Sequence, residues 1–355
     1  MIGSRTKGWI GIDVGSHTVK LVQAARRGGQ LELTEALIVR RTEAWPDVTH
    51  DSISTADSSE EIRAGLALGD EFSGRAAAVA LPMSLCDVRA CSVSAESDQE
   101  VRSQVAKELA PVLGDVEATH EFDYWGAEIP ADRNAAAENT LSASIARPWA
   151  EQVAHDLSQA GLVGKVLDVL PTALARAVEL GAPGSSRSPV AAIDWGYRRA
   201  TLCSVVNGRP LFVRCLRDCG FATTIAALTK GLSVSNEEAQ KLLTDRGLPP
   251  RVAATEDDLQ SVIEEVITQS LNVFVEEVER TIGFLRQQRR GLVPTKLVLF
   301  GGGGALKNIA PYLAERLELP TEPWTLNGRG TTETSVPVQL LGPAIALSSL
   351  AWSKV

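Results

Sequence analysis

Two stretches of the chain repeat one pattern of apolar and polar positions. In the first, GWIGIDVG leads into TVKLVQAA, a glycine-rich break and LELTEALIV; in the second, VAAIDWG leads into ATLCSVV, the break NGRP and LFVRCLRD. Short apolar and β-branched runs separated by such breaks favour antiparallel strands joined by hairpins. The repetition therefore predicts two similar halves, each beginning with a three-stranded meander that carries an Asp-x-Gly turn.

Helical periodicity follows each meander. Residues 60–68 follow the first one, and residues 223–230 and 257–287 follow the second. In the longest segment the apolar residues recur three, four or five positions apart, at Ile263, Val266, Leu271, Phe274, Val278, Ile282 and Leu285. This spacing is typical of a helix, or a pair of helices, with one apolar face. Strands and helices together predict a mixed α/β protein.

Length and composition narrow the class of protein. A chain of 355 residues is longer than one hydrophobic core usually serves, which predicts two lobes. The net charge of −9 argues against a general affinity for nucleic acid or anionic lipid, because both are polyanions. The five cysteines form no Cys-x-x-Cys pair, so we expect neither a disulfide framework nor a zinc site and favour a reducing cytoplasm.

No segment has the hydropathy of a membrane span. The N-terminus lacks the apolar core of a signal peptide, and no stretch reaches the roughly 18 apolar residues that a spanning helix needs. The C-terminal run VPVQLLGPAIALSSLAW is the one apolar candidate, but it is too short to span and has no basic residue before Lys354. We therefore expect a packed terminal helix there and no direct membrane insertion.

The turn DVGSHTVK can bind phosphate through its backbone. Gly15 permits a tight turn in which the amides and hydroxyls of residues 16–18 point at phosphate oxygens. Asp13 can hold a water-coordinated Mg²⁺, and Lys20 adds a positive charge. Each such turn alone is a weak signal, since Asp-Gly turns are common in hairpins. Two of them facing one cleft would hold a nucleotide phosphate tail from both sides.

A third segment contains a run of glycines, whose backbone carries no side chains. TKLVLFGGGGALKNIAPYLAERL contains a buried strand, four glycines and a predicted helix beginning near Ala305. A flexible loop is the alternative, but four glycines between a strand and a helix carry a large cost in conformational entropy. We therefore expect a ligand to lie against residues 301–304.

These three motifs, in this order, resemble a known superfamily. GIDVGSHTVK, AIDWG and LVLFGGGGALKNI are similar to the phosphate-1, phosphate-2 and adenosine motifs of actin, Hsp70 and the sugar kinases. Within that superfamily the chain most resembles the PilM family, the cytoplasmic actin-like proteins of type IV pilus assembly. VALPMSLCDVRACSV, EFDYWG, LSASIARPWAEQVAHDLSQAGLVGKVLDVLPTALARAVEL and FVEEVERTIGFLRQQ resemble segments of that family in the same order.

The resemblance implies an actin-like α/β fold, with two RNase H-like lobes and a small α/β domain inserted in the first lobe. The inserted domain would contain a helix around residues 100–109 and the strand EFDYW, and residues 181–189 (GAPGSSRSP) are the best candidate for a linker between the lobes. The implied bounds are 1–88 and 163–186 for the first lobe, 89–162 for the inserted domain, 187–222 and 292–355 for the second lobe, and 223–291 for a helix-rich subdomain.

The resemblance also implies that ATP and Mg²⁺ bind between the lobes. Asp13 and Asp194 would position Mg²⁺ through water. Glu237 and Lys241, on the predicted helix SNEEAQKLL, would hold the nucleoside, although an exposed amphipathic helix is an equally good interpretation of that segment. No catalytic residue is assigned. The complete implied set is Asp13, Gly15, Ser16, His17, Lys20, Asp194, Gly196, Glu237, Lys241, Gly301, Gly302, Gly303 and Lys307.

A membrane partner is implied as well. In PilM-like proteins the N-terminal cytoplasmic tail of the single-span membrane protein PilN docks in a groove beside the inserted domain. We therefore expect a PilN-like partner, with motor or platform proteins of a pilus or a related type II secretion system as further candidates. The protein would be cytoplasmic and peripheral to the inner membrane through that partner, and nucleic acid is not among the expected ligands.

Two departures from the superfamily pattern bear on activity. Leu170 stands where PilM-like proteins and their bacterial actin relatives often carry glutamate. Leucine cannot orient a water, so we expect slow ATP hydrolysis at most. Tyr197, Arg198 and Arg199 replace the small and hydroxyl residues expected in the second turn. An arginine could grip a phosphate there, or the bulky side chains could fill the site.

Three other functions stay open on the sequence alone. A sugar or acid kinase of the same superfamily would need a catalytic aspartate near a substrate pocket, and the first half contains no matching motif. A filament-forming actin is the second alternative, because filament contacts cannot be read from one chain. A scaffold without nucleotide is the third, and it follows if the second turn is filled.

Overall fold

Two five-stranded sheets with the same strand order form the body of the molecule in the computed structural model. The structure describes residues 6–28, 30–42, 58–94, 97–127, 139–182, 188–250, 258–327 and 336–353. Most of the linker predicted at residues 181–189 lies outside these ranges.

The first half of the chain builds one large sheet and one small sheet. Its elements are β1 (Thr6–Val14), β2 (Thr18–Arg27), β3 (Gln30–Arg40), α1 (Ser59–Leu68), β4 (Ala76–Leu81), β5 (Cys86–Cys91), α2 (Asp98–Leu113), α3 (Val116–Thr119), β6 (His120–Gly126), β7 (Thr140–Ala146), α4 (Arg147–Gln159), β8 (Val163–Val169) and α5 (Leu170–Gly181). The large sheet has the order β3-β2-β1-β4-β8. Strands β1 to β3 are antiparallel, whereas β4 and β8 continue the sheet in parallel.

The second half repeats this arrangement. Its elements are β9 (Val190–Trp195), β10 (Ala200–Val206), β11 (Arg209–Leu216), α6 (Phe221–Leu232), α7 (Asn236–Asp245), α8 (Asp258–Gln288), β12 (Leu297–Phe300), α9 (Gly301–Gly304), α10 (Ile309–Leu317), β13 (Thr321–Pro323) and α11 (Gly342–Ser349). Its sheet has the order β11-β10-β9-β12-β13, again an antiparallel meander extended by parallel strands. The internal duplication predicted from the apolar pattern is therefore present in the fold.

A small subdomain interrupts the first half. Its antiparallel sheet has the order β5-β7-β6, and α2, α3 and α4 lie in the same stretch of chain. The sheet begins at Cys86, three residues before the start implied by the family resemblance. The subdomain has a small hydrophobic core of its own, apart from the cores of the two large sheets. It contains Cys91, Val93, Val105, Leu109, Val116 and Phe122.

The C-terminal helix α11 packs on the sheet of the first half, although the bounds implied by the resemblance place it in the second lobe. The Ser348 hydroxyl donates to the carbonyl of Trp9 at 2.6 Å and accepts from the amide of Ala24 at 2.9 Å. Gly8 and Gly11 on β1 leave room for this approach, since a Cβ at either position would collide with α11. The last helix therefore connects the two halves, and the predicted packed terminal helix is present.

Helix α8 is a single helix, and its apolar face is buried as the periodicity predicts. The glycine run differs from the prediction. Gly301–Gly304 themselves form a short helical turn, and the following helix begins at Ile309 rather than near Ala305. Asn308 causes the break, because its φ of 65° is left-handed and its side-chain amide donates to the carbonyl of Leu248 at 2.6 Å. No helix among the described residues is long and apolar enough to cross a membrane.

Candidate functional site

The two Asp-x-Gly turns have the same backbone layout. In the first hairpin the last paired residues are Val14 and Val19, and in the second they are Trp195 and Ala200, so four residues form each turn. In the first hairpin Asp13 lies opposite Lys20, and in the second Asp194 lies opposite Thr201. The amide of Gly15 closes its turn by donating to the carbonyl of Thr18 at 3.0 Å. The duplicated hairpins therefore present two equivalent aspartates at the ends of two central strands.

These turns face each other across one cavity of about 290 Å³. Gly301 and Gly302 of the glycine run and Gln240 and Thr244 on α7 also line it. Apolar side chains line it too, and these are Val14, Ile38, Pro82, Met83, Leu170, Phe221, Ala305, Pro337 and Leu340. A cavity with both charged and apolar lining suits a ligand with an anionic part and an uncharged ring.

Lys20 and Asp13 form the central ion pair of the first turn. The Lys20 ammonium lies 2.6 Å from Asp13 Oδ2, and the two side chains are 12% and 9% exposed. Burial opposes the charge on Lys20, but the carboxylates of Asp13 and Asp194 outweigh it, so the pKa of Lys20 is raised. Lys20 is therefore a permanent cation between the two aspartates.

Asp194 carries the most perturbed carboxyl of the site. Burial raises its pKa to about 6; the Lys20 ammonium opposes this shift, and the Asp13 carboxylate adds to it. Gly301 lies directly behind Asp194 with a φ of 78°, and a Cβ there would collide with Asp194 Oδ1. The first glycine of the run is therefore required both for its left-handed backbone and for the space that Asp194 occupies.

An aromatic stack bridges the two turns. The rings of His17 and Tyr197 lie 4.0 Å apart at an interplanar angle of 9°. Burial lowers the pKa of His17, and the positive charges of Arg40 and Arg198 lower it further. The imidazole is therefore neutral near pH 7. Its Nδ1 is buried and has no hydrogen-bond partner among the described residues.

The two turns are supported by different elements. A buried side chain, Arg41, holds the first one, because its Nε donates to the carbonyl of Gly15 at 3.0 Å and its guanidinium pairs with Glu61 at 3.2 Å. The N-terminus of α6 holds the second one, because the amides of Phe221 and Ala222 donate to carbonyls of that turn, each at 2.9 Å. Hydrogen bonds to backbone carbonyls, from a side chain in the first turn and from amides in the second, thus fix both turns without a ligand.

Nine of the thirteen residues implied by the family resemblance line this cavity. They are Asp13, Gly15, Ser16, His17, Lys20, Asp194, Gly196, Gly301 and Gly302. The structure does not bring the other four to it. Gly303 packs on the indole of Trp195, where a Cβ would collide with the ring. Lys307 is exposed, and its ammonium donates to the carbonyl of Asp245 at 3.0 Å.

Glu237 and Lys241 also lie away from the cavity, and both are exposed. The reason is the rotation of α7, which is fixed by its buried residues Ala239 and Leu243. That rotation turns Gln240 and Thr244 toward the cleft. Each of them lies three residues after one of the two predicted ligands, so the helix lines the site with a different face. The spacing of the buried residues was the signal that could have identified this face.

The aspartates do not suit a directly bound Mg²⁺. Asp13 already accepts from Lys20 at 2.6 Å, and a divalent ion beside that ammonium would meet a like charge. Within the described ranges, no group of three or more histidine, cysteine or acidic residues could hold a metal ion. In nucleotide sites Mg²⁺ commonly keeps several waters and is held by phosphate oxygens with one or two carboxylates, so a metal ion here would rest on water and phosphate rather than on the paired Asp13.

The fold is shared with proteins of known structure. A PilM–PilN type IV pilus biogenesis complex contains a chain that matches with a TM-score of 0.76 at 19% identity, over 97% of this chain and 98% of that one. EutJ, the ethanolamine utilization protein from Carboxydothermus hydrogenoformans, matches with 0.55 at 14% identity, over 97% and 89%. MreB5 of Spiroplasma citri bound to ADP matches with 0.50 at 11% identity, over 96% and 95%. The predicted actin-like fold is confirmed by these matches.

The family follows from the sequence match. Residues 11–330 match the family model described as type IV pilus assembly protein PilM. Because this match spans most of the chain, the protein belongs to the PilM family of actin-like type IV pilus assembly proteins. The resemblance noted from the motifs is therefore confirmed.

Proposed function

We propose that this protein is a nucleotide-binding assembly factor of a type IV pilus, which binds ATP between its lobes and docks the cytoplasmic tail of a PilN-like inner-membrane protein. One observation carries the nucleotide part of the proposal, namely two equivalent Asp-x-Gly turns facing each other across one cavity. The tail would hold the protein at the cytoplasmic face of the inner membrane.

The proposed phosphate contacts come from both halves. The backbone of residues 15–18 and the Lys20 ammonium would contact the phosphates from the first turn, and Gly196 and Arg198 from the second. Gly301 and Gly302 would lie against the nucleoside, with Gln240 and Thr244 in the role that the sequence suggested for Glu237 and Lys241. Mg²⁺ would accompany the ligand only through the phosphate oxygens and water, because neither aspartate suits direct coordination.

Hydrolysis of the nucleotide would be slow or absent. Leu170 lines the cavity at 7% exposure, and a leucine can neither orient nor deprotonate water. Asp13 is paired with Lys20 and cannot easily act as a base. Binding without turnover would make the nucleotide a structural ligand that fixes the relative position of the lobes.

Calorimetry tests nucleotide binding. We expect ADP and ATP to bind the wild-type chain in MgCl₂ with micromolar affinity, and Lys20→Met to weaken binding by at least about tenfold. Lys307→Met is the matched control, because that lysine lies outside the cavity, and it should bind as the wild type does.

A nucleotide-free scaffold is the second candidate, favoured by the His17–Tyr197 stack, which places two rings in contact between the turns. No binding of either nucleotide, by a chain that still binds the partner tail, would favour the scaffold and reject the nucleotide part of the proposal. A sugar kinase gains no support, since the carboxylates among the lining residues are the two turn aspartates alone.

The outer edge of β8 is the proposed docking site for the tail. Strand β8 ends the first large sheet, and no described strand pairs with its other side. Val163 and Leu167 on this strand are 44% and 41% exposed, and α4 of the inserted subdomain packs beside it. An open strand edge with exposed apolar side chains can accept an extended peptide as an added strand.

A labelled peptide of the PilN-like tail tests this docking site. We expect Leu167→Asp to weaken peptide binding by about tenfold or more in fluorescence anisotropy, because the change places a charge in an apolar contact. Val273→Asp is the control, because Val273 is 44% exposed on α8, in the other half of the molecule. Equal effects of the two variants would reject the β8 edge as the site.

A further inference from the structure

The ionisable side chains that line the cavity include more cations than carboxylates. Lys20, Arg198 and Arg199 are the cations, and Asp13 and Asp194 are the carboxylates. His17 adds no charge near neutral pH, because its pKa is lowered. Charges in a partly desolvated wall act more strongly than charges in water. This lining therefore attracts a polyanion and disfavours an additional cation.

The first turn is already neutral by itself. The Lys20 ammonium and the Asp13 carboxylate lie 2.6 Å apart, both largely buried. A divalent ion could use Asp13 only by displacing Lys20, and breaking a buried ion pair leaves an uncompensated charge. The first turn therefore offers phosphates a fixed ammonium and offers a metal ion no open carboxylate.

The second turn has an excess of positive charge. Asp194 is followed within the same turn by Arg198 and Arg199. Arg199 is half-buried, and its Nη1 lies 3.8 Å from Cys215 Sγ. Arg198 is exposed and borders the cavity, opposite His17 of the first turn. Its guanidinium is therefore the cation of the second turn that can extend to a phosphate.

We infer that the cleft binds its nucleotide without requiring Mg²⁺, with Lys20 and Arg198 supplying from opposite lobes the positive charge that neutralises the phosphates. The inference rests on the proposed function, because it specifies the ligand of the same cavity. A guanidinium pairs with phosphate oxygens through two fixed donors, so it can replace a metal ion as a phosphate partner. Arg198 is then the residue that allows the site to bind the nucleotide in the absence of the metal ion.

Calorimetric titration with ADP and ATP, once in EDTA and once in excess MgCl₂, tests this inference. We expect the two Kd values of the wild-type chain to agree within about threefold. Arg198→Gln should weaken binding in EDTA by about tenfold to a hundredfold and should weaken it less in MgCl₂, where the metal ion replaces the lost charge. Arg198→Lys should recover part of the affinity.

Arg209→Gln is the matched control, because Arg209 is exposed at the opposite end of the β10–β11 hairpin, and its Kd should not change. Binding that is at least about tenfold tighter in MgCl₂ than in EDTA would overturn the inference while leaving the proposed nucleotide function in place. Metal-independent binding that Arg198→Gln leaves intact would overturn the role of Arg198. No binding in either buffer would instead reject the proposed function itself.

Discussion

The first and second turns of the cleft have one backbone and two different surroundings. Both have the same length and follow an aspartate at the end of a central strand. The first turn carries small and hydroxyl side chains with His17, and the buried side chain of Arg41 holds it from behind. The second carries Tyr197 and two arginines, and the N-terminus of α6 holds it.

This difference shows that the conformation of the turn does not depend on which element donates hydrogen bonds to it from behind. A hairpin of fixed length needs only local sequence, namely two apolar strands and a glycine. The element behind it belongs to a distant part of the chain in each case, so the two copies could diverge in support while keeping the same turn. The following predictions test how far the two supports differ, from the largest expected effect to the smallest.

Removing the support of the first turn should have the largest effect. Arg41→Met leaves the Glu61 carboxylate and the Gly15 carbonyl without this partner in a buried site, and we expect a loss of about 3–5 kcal/mol in the free energy of unfolding. Urea denaturation followed by circular dichroism measures it. Arg40→Met is the control, because Arg40 is 43% exposed, and it should cost at most about 0.5 kcal/mol. Similar losses in both variants would contradict the proposed support.

Crowding the support of the second turn should have a smaller effect. In Gly220→Ala the new Cβ would lie 2.5 Å from the carbonyl oxygen of Tyr197, and we expect a loss of about 1–3 kcal/mol in the same assay. Gly283→Ala is the opposite control, since no heavy atom lies within 4 Å of a Cβ built there and the residue lies within α8. That change should raise the free energy of unfolding by about 0.5–1 kcal/mol, because alanine favours a helix over glycine.

The raised pKa of Asp194 should appear in the pH dependence of stability. The folded chain keeps this proton up to about pH 6, whereas the unfolded chain loses it near pH 3.8, so the folded state binds more protons between these values. The contribution of Asp194 to stability therefore falls as the pH rises from about 4 to 6.

Asp194→Asn removes that dependence. Relative to its effect on the free energy of unfolding at pH 4, we expect the substitution to be more favourable at pH 7 by about 2 kcal/mol. Urea denaturation midpoints of the wild type and the variant are compared across this pH range. The other carboxyl groups are the same in both proteins, so the difference between the two pH profiles reports Asp194 alone. Parallel pH profiles would show that Asp194 titrates at its ordinary value.

The smallest effect should come from the surface pair between the halves. Arg40 on β3 and Glu237 on α7 lie 3.0 Å apart, but their side chains are 43% and 80% exposed. Glu237→Gln should change the free energy of unfolding by about 0–0.5 kcal/mol, and the change should vanish in high salt. It should also leave the affinity for nucleotide unchanged, since Glu237 does not line the cavity. A clear loss of affinity would restore the ligand role that the sequence suggested for this residue.

Much of the fold was predictable because its signals are local. The duplicated meander, the two Asp-x-Gly turns and the long helix α8 all follow from apolar periodicity within short segments. The order of the three motifs indicated the actin-like fold, and four further segments indicated the PilM family. The nine predicted residues that line the cavity belong to the two hairpins and the start of the glycine run, whose local sequence predicts their conformation.

The tertiary structure decided what depends on distant packing. It set the rotation of α7, which replaces Glu237 and Lys241 with Gln240 and Thr244 at the cavity, and it directed Lys307 to a backbone carbonyl. It placed α11 on the sheet of the other half and Arg41 behind the first turn. These features depend on contacts between residues far apart in the sequence. No local pattern of apolar and polar residues predicts such contacts.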